Sequence, residues 1–200
     1  MKTTILAATI FVSSMLMSAS AQAEPQRFTF DKAHTNILFY VDHLGFSNMI
    51  GRFTDFDGEM ILDSDAPASS SVEIILRPSG IVTSSTELDD HLQGDKWFNS
   101  TLYPEITFKS TKVQVSDEKE AVVTGWLKFL GQEKLISLNV TLNKMAAHPM
   151  SGKMTAGFSA NTVIARSEWG MNEYVPMVGE EVQIMIEAEG TQAEQAPSAP

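Results

Sequence analysis

The chain has 200 residues, with 25 Asp and Glu against 14 Lys and Arg, a formal charge of −11, and no cysteine. That balance lacks the basic footprint nucleic acid requires and disfavours adsorption to anionic lipid headgroups. The absence of cysteine excludes disulfides, thiolate metal sites and thiol catalysis, so an exported domain must be held by its core alone.

The first element is a leader. Lys2 precedes an apolar run from Ile5 to Met17, and Ala21-Gln22-Ala23 forms an A-x-A cleavage site. Residues 1–23 therefore read as a cleaved secretory signal peptide, which exports the mature protein. The next residue is Glu24 rather than a lipid-bearing cysteine. No second apolar run approaches the ~20 residues of a membrane span.

Strands follow. Gln26–Phe30 is the first, and Asn36–Leu44 the second, with Ile37, Phe39 and Val41 on one face. Gly51–Leu62 reads as a third, carrying Phe53, Phe56 and Met60. Asp63–Ser70 is a loop, and Val72–Leu76 a fourth strand. The pattern then changes. Ser84, Ser85 and Thr86 are possible N-caps, Leu88 and Leu92 share one helical face, and Gly94 is a stop signal. A single short helix is expected there.

Strands resume at Ile106 and Phe108, continuing through Val115. Ala121–Phe129 and Lys134–Asn143 flank a turn at Gly131-Gln132; Ile136, Leu138, Val140 and Leu142 give the clearest period of two. Met154–Ala165 and Glu181–Ala188 are further strands, and 191–200 reads as a disordered Pro/Ala-rich tail. About eight strands and one short helix form no βαβ pattern. They fit an all-β antiparallel barrel or sandwich occupying residues 24–190, and barrel closure would hide the sheet edges.

Familiar catalytic motifs are missing. The nearest approach to G-x-S-x-G is Gly157-Phe-Ser-Ala-Asn161, whose last residue is wrong. There is no phosphate loop and no dinucleotide fingerprint. His34, His43, His91 and His148 form no H-E-x-x-H or H-x-H pair, so no metal is expected. His91 either binds a ligand head group at a cavity mouth or fixes the helix to the sheet. Arg166 either anchors an anionic or carbonyl head group or pairs with Glu168, Asp89 or Asp90 to pin a loop. Aromatic residues crowd the strands and corners, and several strands look apolar on both faces. That suits a barrel with an apolar cavity, or else an ordinary tight core.

Several stretches in chain order carry a family resemblance. Asp31-Lys-Ala-His34-Thr-Asn-Ile-Leu-Phe39 with His43-Leu-Gly resembles the opening motif of the YceI-like family, and Gly51-Arg-Phe53-Thr-Asp-Phe56-Asp-Gly58 its next motif. His91-Leu92, Asp95-Lys-Trp97-Phe98 and Tyr103-Pro104-Glu-Ile-Thr-Phe108 resemble its central signature. Phe158, Arg166 and Trp169-Gly170 resemble its end. Thr35 and Trp169 depart from the family's usual Ser and Phe.

The resemblance implies an extended lipocalin-like antiparallel β-barrel with an elongated apolar cavity. It implies a bound long-chain isoprenoid, quinone-like lipid or similar amphiphile, and often a homodimer. Carried onto this chain, the ligand-facing residues are His34, Phe39, Phe53, His91, Trp97, Phe98, Phe108, Phe158, Arg166 and Trp169. The expected function is a periplasmic binding or carrier protein without catalytic residues or cofactor. The alternatives are a lipid-modifying enzyme using His91 with Asp89 or Asp90, and a stress-related scaffold with a solid barrel.

Overall fold

The computed structural model describes residues 24–194. The expected signal peptide at 1–23, and residues 195–200 of the expected tail, lie outside the described residues. Eleven strands form one antiparallel sheet. They are β1 (Gln26–Phe30), β2 (Asn36–His43), β3 (Ser47–Phe53), β4 (Phe56–Leu62), β5 (Ser71–Leu76), β6 (Ile81–Val82), β7 (Ile106–Val115), β8 (Glu120–Phe129), β9 (Gln132–Ala147), β10 (Met154–Ala165) and β11 (Val178–Gln192). Helix α1 covers Thr86–Leu92.

Eight strands close a ring in the order β1-β4-β5-β7-β8-β9-β10-β11, sealed by β1 pairing with β11. The barrel is long: β9 has 16 residues, about 50 Å of extended chain. The other three strands flare from one end. β11 pairs with β2 along Val178–Glu187 and with β1 along Gly190–Gln192. So β1 and β2 lie end to end against one partner, hinged at residues 31–35. β3 then pairs with β2, and β6 with β3.

Several expected boundaries move: the strands expected at Lys134–Asn143 and Glu181–Ala188 extend to Gln132–Ala147 and Val178–Gln192, β6 is an added short strand, and two further changes have a clear physical cause. The expected third strand is two strands, broken at Thr54-Asp55. Phe53 and Phe56 are three apart, so one regular strand would point them to opposite faces. Both are buried, at 7% and 1% exposure, which requires the corner between them. That corner is fixed by Thr54 N donating to Gly80 O, Arg77 N to Asp55 O, and the Arg77 guanidinium to Asp55 and Asp57. The tail also begins later than residue 191: Thr191 pairs with Thr29 and Thr155, and Gln192 with Phe28.

The helix forms where its caps predict. Ser85 Oγ accepts from Leu88 N at 3.4 Å, Glu87 and Asp89 sit in the first turn, and Gly94 N donates to His91 O. Asp89 Oδ1 also accepts from Thr83 N and Thr83 Oγ1, both at 2.6 Å, which ties the helix to the chain leaving β6. Leu92 is buried and Leu88 packs against the core. The helix therefore lies apolar face down over the flared end of the barrel.

Candidate ligand-binding cavity

An eight-stranded barrel has an interior that side chains can just fill, or that holds one small ligand. This one is not filled. Two cavities, of about 340 and 360 Å³, lie within it. They are in line along the axis, as the inward faces of single strands show. On β11, Val182 and Ile184 line the upper chamber, while Ile186 and Ala188 line the lower. On β8, Leu127 and Phe129 line the upper and Val123 and Ala121 the lower; Ile37 lines both.

Each chamber far exceeds the voids of a close-packed core and falls within the size of small-molecule pockets.

The upper chamber is roofed by α1 and the segments after it. Its lining is apolar apart from Thr83, His43, His91, Arg166 and the polar tips of Trp97 and Tyr174, and no Asp or Glu lines it. A ladder of rings runs across it: Phe39 to Phe53 at 5.7 Å, Phe53 to Phe98 at 5.9 Å, and Phe98 to Phe129 at 5.6 Å. Gly51 leaves room for this ladder: a Cβ there would stand 2.1 Å from the Phe39 ring and push it toward the chamber. The lower chamber is apolar along its walls. It meets polar chain at its far end, the Asp63–Ser71 loop and the Asp117–Glu120 turn.

His91, Trp97 and Arg166 meet at the upper chamber. Trp97 Nε1 donates to His91 Nε2 at 2.9 Å, so the imidazole accepts there and carries its hydrogen on Nδ1. The Trp97 ring lies 6.3 Å from Tyr174 and 5.7 Å from the Arg166 guanidinium carbon. Arg166 is 1% exposed. Its Nε donates to Gly179 O, Nη1 to Met171 O, and Nη2 to both Glu173 O and Val178 O, at 2.8–2.9 Å. Burial pushes its pKa down from the usual arginine value, while the charge of Glu180 pulls the other way. Arg166 thus pins a loop, as one reading of the sequence had it, but through backbone carbonyls rather than through Glu168, Asp89 or Asp90. The pinned strap, residues 171–179, forms part of the chamber's wall.

The other expected ligand-facing residues divide. Phe39, Phe53 and Phe98 line the upper chamber; Phe108 and Phe158 line the lower. Trp169 lines neither: it is buried behind Phe129, with Lys134 Nζ 5.8 Å from its ring. His34 also lines neither. It sits in the β1–β2 corner, 65% exposed, with Nδ1 2.7 Å from Asp31 Oδ2. The same corner is stitched to β11 by Asp31 N donating to Glu189 O and by Thr35 Oγ1 exchanging bonds with Glu189 backbone. The ligand atoms of Asp31, His34 and Glu189 lie within 4.8 Å of one another at this exposed point outside the cavity. The acid–base pairing of His91 with a neighbouring Asp is not formed: Asp89 is engaged by Thr83 and the His91 ring by Trp97.

The Asp31 corner carries a pH dependence. The hydrogen bond that His34 donates to Asp31, then the charges of Asp31 and Glu189, raise the His34 pKa above 6.5, and the same bond lowers Asp31 below 3.8. A histidine with a raised folded-state pKa contributes stability fully below 6.5 and loses it as pH rises through the folded value. Asp31 contributes above 3.8 and loses its share as pH falls through its own lowered value. NMR titration should therefore place His34 above 6.5, and His34→Asn should flatten the fall in stability on the alkaline side of that value. A His34 resonance titrating at or below 6.5 contradicts this.

A closed antiparallel barrel with a helix-capped apolar interior defines a lipocalin-like barrel. The chain belongs to the YceI-like family: the YceI-like domain model matches residues 28–190. Protein YceI of Shigella flexneri is 33% identical over 192 residues, covering 96% of this chain and 99% of that relative. A YceI protein of Campylobacter jejuni superposes with a TM-score of 0.70 at 28% identity, over 76% of this chain and 90% of the other. A polyisoprenoid-binding domain from Saccharophagus degradans, at 10% identity, shares the fold with a TM-score of 0.65 over 83% of this chain and 98% of its own.

Sequence reasoning missed the strap and its tyrosine. Tyr174, Val178 and Met171 line the chamber, yet nothing in their spacing announces it. Arg166 holds the strap through carbonyl groups, which every residue type carries alike. The signal available was an arginine directly after an apolar strand, followed by a loop that itself carries Met171, Tyr174, Val175, Met177 and Val178.

Proposed function

We propose that this chain is an exported periplasmic protein that binds and carries a long-chain isoprenoid or similar amphiphilic lipid, without catalysis. The observation that carries this reading is the pair of apolar chambers in line inside a closed barrel. An extended chain fits that geometry better than a compact ligand does. Each buried CH₂ contributes about 0.8 kcal/mol, so affinity comes mainly from non-directional burial and few polar contacts are needed. The family and the shared fold with a polyisoprenoid-binding domain support the same cargo class. In this reading the apolar tail occupies the interior, against Phe39, Phe53, Phe98, Phe108 and Phe158. The head lies near His91, Trp97 and Tyr174.

The test is a competition titration against a fluorescent apolar probe, using isoprenoid alcohols of increasing length. Affinity should rise steeply per added unit until both chambers are full, then level off. Affinity independent of chain length would contradict the reading.

A further inference from the structure

The rim of the upper chamber continues outward as exposed apolar surface. The β2–β3 hairpin turns at Leu44 and Gly45, both with left-handed φ (+60° and +73°), and presents Phe46 beyond them. Phe46 is 89% exposed, Met177 57% and Leu44 48%. These residues are linked: Leu44 N donates to Met177 O, and Val178 pairs with His43, both of which line the chamber. Exposed Tyr174 lies three residues from Met177 in the strap and leads back to Trp97 at the mouth. Scattered exposed apolar side chains are ordinary on a protein surface. A contiguous set around the mouth of an apolar cavity marks an interaction site.

We propose that this rim docks on the surface of a lipid bilayer, with Phe46, Leu44 and Met177 entering the acyl boundary so that cargo passes between membrane and chamber without crossing water. This rests on the cargo reading above. The occupant follows from the cavity and the charge. A chamber holding a membrane-resident amphiphile needs an apolar path to its source, and the rim provides one continuous with the lining. The flanking charged groups include Asp42, His43, Asp89, Asp90, Asp95, and Lys96 paired with Glu173. Acidic groups predominate, which matches a neutral bilayer and repels an anionic one. The chain's acidic balance acts in the same direction. Docking is then weak and reversible, as a carrier that must leave the membrane requires.

The experiment uses the purified protein with phosphatidylcholine vesicles, alone or with about a third of the lipid replaced by phosphatidylglycerol, reading co-flotation and the transfer rate of a fluorescent apolar probe. The variants are Phe46→Asp and the gentler Phe46→Ser, each also combined with Met177→Ser; at 89% exposure the Phe46 side chain packs on little that truncation could disturb. The proposal expects flotation with neutral vesicles, several-fold weaker on anionic ones. It expects at least a tenfold loss of flotation and transfer rate in the variants, with probe loading in vesicle-free solution unchanged. Equal flotation and transfer by wild type and variants would overturn it. So would a rim that instead holds two copies together, seen as a wild-type dimer in sedimentation that the variants dissociate, without vesicle binding. A wild-type protein that takes up no probe in solution would overturn the cargo reading separately, since flotation is read without cargo.

Discussion

Replacing Arg166 by methionine is expected to lower the thermal midpoint by about 10–15 °C. The buried guanidinium makes four hydrogen bonds to the carbonyls of Met171, Glu173, Val178 and Gly179. Bonds to charged groups are each worth about 1.5–3 kcal/mol, and removing the donor leaves carbonyls to be satisfied another way. The sum is offset by the relief of burying a charge that has no carboxylate partner within salt-bridge distance among the described residues. A net loss of about 4–5 kcal/mol remains, and one kcal/mol moves the midpoint of a domain this size by about 2–4 °C. Arg166→Lys should recover part of this, because an ammonium lacks the planar fork that reaches several carbonyls at once. Hydrogen exchange should locate the change in residues 171–179. A midpoint within two or three degrees of wild type would show that the strap is held by something else.

The second large effect concerns cargo rather than stability. Ile184 projects from the middle of β11 into the upper chamber, opposite Phe39 of β2. Ile184→Trp puts an indole where cargo would lie and displaces three or four methylene groups. At about 0.8 kcal/mol each, that is roughly 3 kcal/mol, or on the order of a hundredfold in dissociation constant. Filling an empty cavity does not itself destabilise, so the midpoint of cargo-free protein should hold or rise. Loss of binding with retained stability separates an occupied chamber from a packing defect. Unchanged affinity would exclude the upper chamber as the cargo site.

Much of the barrel is legible in residue order, and the reasons are physical. Ile136, Leu138, Val140 and Leu142 alternate because β9 has one apolar face, and three of the four line the lower chamber. Met154–Ala165 matches β10 end to end because turn residues bound it on one side and Arg166 on the other. The break at Thr54-Asp55 was also written, in the odd spacing of Phe53 and Phe56, but apolar content masks it. Two things are not written locally. Empty space has no residues of its own, so strands apolar on both faces suggest a cavity without giving its size. His34 lies within the opening family motif that points to ligand, yet its partner is Asp31 of the same motif, three residues back, and the pair serves the β1–β2 corner. From sequence, His91 and Arg166 each admit two roles. The structure gives Arg166 to the strap and joins His91 to Trp97 at the chamber.

The central claim is that the two chambers together hold one long-chain lipid. Native mass spectrometry of protein purified without detergent from its own host, with extraction and identification of the bound species, tests it most directly. One long-chain isoprenoid or comparable amphiphile per chain is expected, much reduced in Ile184→Trp. Protein that is empty in repeated preparations, or that carries only short or water-soluble molecules, would contradict it.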